Sequence, residues 1–176
     1  MISRSIHRSL AAIALAILCA FPFASSFYTE HRWNVDRPAI GEKVRPFTMT
    51  FAGGRTFVFE STRAKKLLLI FFSMSCPHCR TEINNFNSLS RIYSTKLDVV
   101  GVCVDSTLSF DDKRDITAPS FPVVFEKGID LAQNFRVTGV PSAFYIDEGR
   151  VLRARSSGEQ SFHSDSLNIA SFVDLP

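Results

Sequence analysis

The chain has 176 residues, 45% of them hydrophobic and 21% charged, and carries a net charge of +3 at neutral pH. That is globular composition, with enough chain for one domain and a substantial core. No Lys/Arg stripe interleaved with aromatics is present, so nucleic-acid binding has no support. Four cysteines are too few for a disulfide-built scaffold of this length, and 17 Phe against one Trp reads as core filling.

The N-terminus reads as a targeting segment. Arg4, His7 and Arg8 form a basic start, and Leu10 to Ala24 is apolar without a charge. Ala24-Ser25-Ser26 offers the small residues a signal peptidase reads. The apolar run falls short of the roughly 20 residues of a full bilayer span, although continuing to Tyr28 brings it close. Residues 1–26 are therefore expected as a cleaved signal peptide or as a retained N-terminal membrane anchor. Either outcome exports the rest, because the basic end stays inside. Cys19 lies within this run as an apolar filler. Residues 27–39 lack periodicity and read as a linker, leaving 40–176 as the folded domain.

Pro46 to Phe51 and Thr56 to Phe59 alternate apolar and polar residues around Gly53-Gly54, the pattern of a β-hairpin. Leu67 to Phe72 (LLLIFF) is continuously apolar, as in a central strand buried on both faces. After Cys76 the period changes: Ile83, Phe86, Leu89 and Tyr93 fall at helical spacing, and Pro77 suits a first helical turn. Leu97 to Val104 is a second buried strand. Ser109 to Thr117 is polar and expected to be helical. Phe121 to Phe125 is a short strand and Ile129 to Phe135 a short helix. Ala143 to Ile146 and Val151 to Arg155 form a hairpin around residues 147–150, and Ser166 to Val173 is a closing helix. This alternation argues for a three-layer α/β domain.

The chemistry-bearing motif is Cys76-Pro77-His78-Cys79. A structural zinc site needs four N or S ligands, commonly with a second paired set, and the remaining candidates, Cys103, His163 and His31, have no paired spacing. Covalent haem attachment requires His directly after the second cysteine, where Arg80 stands. A purely structural disulfide across so short a loop constrains little of the unfolded chain. A redox dithiol fits best. Unfilled amide groups and the helix dipole favour an anion at a helix start, so Cys76 is expected as the nucleophile. Cys79, a turn further in, is expected to resolve the mixed disulfide. His78 is either a donor to the Cys76 thiolate or an exposed spacer. Cys103, mid-strand, reads as a small buried apolar side chain.

With these pieces in place, the chain resembles the thioredoxin-fold TlpA/ResA-like thiol–disulfide oxidoreductases, relatives of the AhpC/TSA peroxiredoxin superfamily. The resemblance spans roughly Ile40 to Gly158 and rests on IGEKVRPFTMTFAGGRTFVF, LLLIFFSMSCPHCRTEI, DVVGVCVDS and NFRVTGVPSAFYIDEGRV. It implies a three-layer thioredoxin-like fold with an N-terminal β-hairpin extension and a central mixed sheet. It also implies a cis-proline facing the dithiol, matched by Val140-Pro141, where an extended substrate segment would pair. Glu82, three residues past Cys79, resembles an acidic family position: a proton acceptor for Cys79, or simply a first-turns carboxylate favoured by the dipole. Ser75 departs from the Trp of many relatives. Ile70 stands where thioredoxins bury a carboxylate. The Pro-His spacer is that of the DsbA disulfide oxidants, on a body whose relatives are mostly reductants.

The expected activity is disulfide exchange with protein cysteine pairs, with no cofactor beyond the redox-active Cys76–Cys79 disulfide and no metal. Cytochrome c maturation and metal-site assembly are the processes the family suggests. The implied partners are cysteine-bearing proteins and a membrane electron donor or acceptor. The implied location is the bacterial periplasm or the outer face of the cytoplasmic membrane. Two alternatives stay open: a peroxiredoxin-like peroxide reductase, against which Leu69 stands where those enzymes place Pro, and a copper carrier using Cys76, Cys79 and a His.

Overall fold

A computed structural model describes residues 38–51, 54–59, 65–105, 118–125 and 128–175. The expected leader, most of the linker and the expected polar helix Ser109–Thr117 lie outside the described residues. The elements are strands β1 (Phe47–Thr50), β2 (Thr56–Phe59) and β3 (Lys66–Phe72), helix α1 (Pro77–Ile92), strands β4 (Leu97–Cys103) and β5 (Val123–Val124), helix α2 (Gly128–Asn134), strands β6 (Ser142–Ile146) and β7 (Leu152–Ser157), and helix α3 (Phe162–Val173).

The central sheet has five strands in the order β5-β4-β3-β6-β7. β3, β4 and β5 run parallel, whereas β6 and β7 are antiparallel to their neighbours. β1 and β2 form the separate antiparallel hairpin expected at the N-terminal side. The mixed sheet and its helices on both faces are the thioredoxin-like architecture expected from the sequence.

The period-two geometry of a strand divides the LLLIFF run between two cores. Leu68, Ile70 and Phe72 face α1 and α3, packing with Ile83, Phe86, Leu89, Ile169 and Phe172. Leu67, Leu69 and Phe71 face the other way, toward Leu131, Ala132 and Phe135 around α2 and Met49 and Phe59 of the hairpin. Every residue of β3 is buried, which is why this stretch carries no alternation in its sequence.

Gly101 in β4 answers a close approach. A Cβ there would lie 2.9 Å from Phe72 Cε1, 3.0 Å from Phe121 and 3.2 Å from Val123. β5 is shorter than the expected Phe121–Phe125 strand. Phe121 is spent on filling the space above Gly101, and Pro122 has no N–H to give the ladder, though its carbonyl accepts from Gly101 N at 2.9 Å. α3 begins four residues earlier than its apolar periodicity indicates, because Ser161 caps it: the Ser161 hydroxyl accepts from Ser164 N at 3.1 Å. At the other end of α3, the buried Lys66 Nζ donates to the carbonyls of Phe172 at 3.0 Å and Leu175 at 2.5 Å. A cation from the first residue of β3 thus occupies the negative end of α3.

Candidate active site

The dithiol sits where β3 gives way to α1. Asp105, just past β4, holds that junction: its carboxylate accepts from Met74 N at 2.6 Å and from Ser73 Oγ at 2.8 Å. Ser73 Oγ in turn accepts from Ser75 N at 3.2 Å, and the Ser73 carbonyl accepts from Cys76 N at 3.3 Å. The parallel β3–β4 pairing, which sets Phe72 opposite Cys103, brings this carboxylate under the turn.

Cys76 is the N-cap residue of α1, with extended backbone at φ −84° and ψ 116° and no side-chain cap on the helix. Pro77 follows at the first turn, as the sequence predicts. Cys76 is half-buried and Cys79 fully buried, both as free thiols. Burial pushes the Cys79 thiol up to about 12; the hydrogen bond from the Ser73 backbone opposes this, while the neighbouring Cys76 and Glu82 add to it. The two sulfurs of one motif therefore differ by geometry. One is half-exposed at the helix start, and burial favours the protonated thiol of the other.

The Val140–Pro141 peptide is cis. It comes from the segment between α2 and β6 and lies against the dithiol, with Cys76 Sγ 3.7 Å from the Val140 carbonyl oxygen. Residues 64 positions apart in the chain thus meet at the sulfur. His78 is exposed and directed elsewhere: its Nδ1 is 2.5 Å from Glu159 Oε2, in the turn before α3. The hydrogen bond from His78, with a second from Thr81, holds the Glu159 carboxyl below the ordinary carboxylate range.

Glu82 is 3% exposed, one turn beyond Cys79 on the buried side of α1. Its Oε1 accepts from Gln160 N at 2.8 Å. Burial, and then the nearby Asp165 carboxyl, push Glu82 up to about 8. Ile70, in the position where thioredoxins place a carboxylate, is fully buried in the apolar cluster beneath α1. The buried acid of this site comes from the helix and not from the strand. Cys103 is buried in the same cluster with its Sγ 3.7 Å from Asp105 Oδ2, and burial pushes it up to about 11. Among the described residues no three metal-ligating side chains converge.

Four contributors escape a reading of the motif alone: Asp105, Glu159, Gln160 and Asp165. Only Asp165 leaves a signal in the sequence. It lies on the apolar row of α3 with Ile169, Phe172 and Val173, so a carboxylate occupies a core position of an otherwise amphipathic helix.

The sequence profile of the AhpC/TSA family matches residues 40–155, and the chain belongs to that family. It is 26% identical over 158 residues to the thiol-disulfide oxidoreductase ResA of Bacillus thuringiensis, covering 85% of this chain and 87% of the relative. It is 27% identical over 152 residues to the thioredoxin-like protein YneN of Bacillus subtilis, covering 82% of this chain and 86% of the relative. The fold is shared with StoA from Bacillus subtilis at a TM-score of 0.57 and 21% identity, over 74% of this chain and 98% of that one. The protein is a thioredoxin-like thiol–disulfide oxidoreductase of the ResA type.

Proposed function

We propose that the protein is an exported oxidoreductase that exchanges disulfides with cysteine pairs in other proteins, using Cys76 as nucleophile and Cys79 as resolving thiol. The observation that carries this reading is the asymmetry of the pair: Cys76 is half-exposed at an uncapped helix start beside Val140-Pro141, and Cys79 is buried one turn in. A Cys76 thiolate attacks one sulfur of a substrate disulfide and expels the other as a thiolate. Cys79 then loses its proton and attacks Cys76 Sγ, releasing the second substrate thiolate and leaving the Cys76–Cys79 disulfide. In this direction two electrons pass from the protein to the substrate, and a membrane dithiol donor restores the pair. In the reverse direction the substrate dithiol is oxidised, and a membrane acceptor takes the electrons. No cofactor beyond the dithiol takes part.

Glu82 is the group that exchanges the Cys79 proton. It lies three residues along the same helix face, is buried beside it, and titrates near 8, within reach of neutral pH. Val140 and Pro141 supply the edge against which an extended substrate segment docks, and Pro77 and His78 shape the spacer. The basic, then apolar, segment 1–26 carries the domain out of the cytoplasm, to the periplasm or the outer face of the membrane, as a signal peptide or an anchor. Cytochrome c maturation or metal-site assembly is the setting that suits such an enzyme.

Insulin reduction by the full chain and two variants tests this. Cys76→Ser is expected to abolish turnover, and Cys79→Ser to accumulate a mixed disulfide with substrate. Turnover retained in both variants rejects the reading. Equilibration with glutathione then reads direction: a potential near about −270 mV marks a reductant and one near about −120 mV an oxidant.

A further inference from the structure

The face of the sheet that holds Cys79 also buries two carboxyl groups against each other. Glu82 comes from α1 and Asp165, with no exposed surface, from α3. Each has one oxygen satisfied by a neutral donor: Gln160 N gives to Glu82 Oε1 at 2.8 Å, and Asn85 Nδ2 gives to Asp165 Oδ2 at 2.9 Å. The other two oxygens, Glu82 Oε2 and Asp165 Oδ1, are buried without a donor among the described residues. Asn85 Nδ2 also donates to the Gln160 carbonyl at 3.3 Å, so both carboxyls are tied to one Asn85–Gln160 pair, and each shifts the other's ionisation. No cation among the described residues is ion-paired with either. Two buried carboxylates with no counter-ion cannot both stay charged, and one proton between the two orphaned oxygens satisfies both.

We propose that Glu82 and Asp165 share a single proton, and that Asp165, anchored by Asn85, is the positioning residue that keeps Glu82 protonated beside Cys79 and thereby sets the pH at which the Cys79 step turns on. This rests on the reading of Glu82 as the group that exchanges the Cys79 proton. When a thiolate opens the Cys76–Cys79 disulfide at Cys76, the S–S bond breaks and its electron pair goes to Cys79 Sγ. The shared proton moves to that sulfur, and the carboxyl pair regains a proton from solvent. In the reverse direction the deprotonated pair accepts the Cys79 proton as Cys79 attacks Cys76 Sγ. Among the described residues, the other titratable groups facing the pair are Cys79 on α1 and, beyond it, Cys76 at the N-cap, Glu159 in the turn before α3, and Tyr145 on β6. Burial pushes Tyr145 up to about 12, so it stays neutral throughout, and the Glu159 carboxylate adds negative charge beside the pair. Burial and that charge both favour keeping the proton.

The decisive measurement is a carbon-13 NMR titration of the Glu82 and Asp165 carboxyl carbons in the reduced protein. The expected result is a joint response of both carbons, with the last proton leaving near pH 8. Asp165→Asn, nearly the same shape, should lower the Glu82 midpoint by about one unit or more, a tenfold change in its proton affinity. The resolution rate of a preformed Cys76 mixed disulfide, followed against pH, should move its midpoint by the same amount, and Glu82→Gln should remove that midpoint. A Glu82 midpoint near the ordinary carboxylate value in the unaltered protein overturns the shared proton without any variant. A midpoint unmoved by Asp165→Asn overturns it as well, even where Glu82→Gln still flattens the rate profile. A rate profile that ignores Glu82→Gln sinks the role of Glu82 itself.

Discussion

The two faces of the central sheet are filled with different chemistry. On the face toward α2 and the hairpin the core is aromatic. Phe47 stacks on Phe59 at 4.7 Å between centroids, and Phe135 meets Phe47, Phe71 and Phe144 at 5.8, 5.5 and 5.0 Å. On the face toward α1 and α3 the same kind of core is interrupted by Cys79, Glu82, Asn85 and Asp165. A buried polar group destabilises unless it finds partners. Here Asn85 of α1 and Gln160 of the turn before α3 supply two donors. One side of β3 is packed with aromatic rings, and the other sets buried polar groups into its apolar core beside the dithiol.

The contrast can be broken at its stable side first. Phe135→Ala should cost about 3–5 kcal/mol in urea unfolding, since a large aromatic is removed from a closed cluster. Turnover per folded molecule should be unchanged, because Phe135 does not touch the dithiol. A comparable loss of specific activity would show that the two faces are not separable. Gly101→Ala pushes a methyl toward Phe72 on the site-bearing face and should cost about 1–3 kcal/mol. A neutral result would mean that the rings yield freely.

Glu82→Gln sharpens the other side, and its sign depends on pH. Glu82 is raised from 4.5 to about 8 in the fold, so between those values the folded chain binds the extra proton. Its contribution is fully present below about 4.5 and is lost as pH rises through about 8. Removing the charge should therefore stabilise the protein at pH above 8, by no more than about 5 kcal/mol, the full linkage of that shift, with little change under acid conditions. Urea titrations at both ends of that window, showing a stabilisation at acid pH instead, would reverse the assignment. The smallest effect is expected at the surface. Glu159→Gln removes the carboxylate beside His78 and leaves the spacer less negative, which favours the reduced dithiol. Glutathione equilibration should move toward the oxidising direction by less than about 30 mV, under tenfold in the equilibrium constant. A shift toward the reducing direction would contradict the pairing.

Much of the architecture was legible because local pattern and global packing agree. The Gly pair between two alternating runs announced the β1–β2 hairpin. The unbroken LLLIFF run announced a strand covered on both faces, and Ile83, Phe86 and Leu89 announced α1. The errors fell where a local pattern was overruled. The expected Phe121–Phe125 strand is reduced to Val123–Val124 because its first aromatic covers Gly101. α3 starts at Phe162, ahead of its apolar periodicity, because a serine cap and not an apolar residue sets its beginning.

The sequence by itself determined the dithiol, its place at a helix start, and the layered α/β body, since each follows from spacing along a few residues. Only the tertiary structure decided what surrounds the sulfurs. Val140 meets Cys76 from 64 residues away, His78 finds Glu159 81 residues on, and Asn85 of α1 reaches Asp165 of α3 across 80 residues. Such pairings follow from how strands are ordered and how two helices share one face of a sheet. Proton affinity follows from burial and neighbouring charge, which no run of consecutive residues encodes.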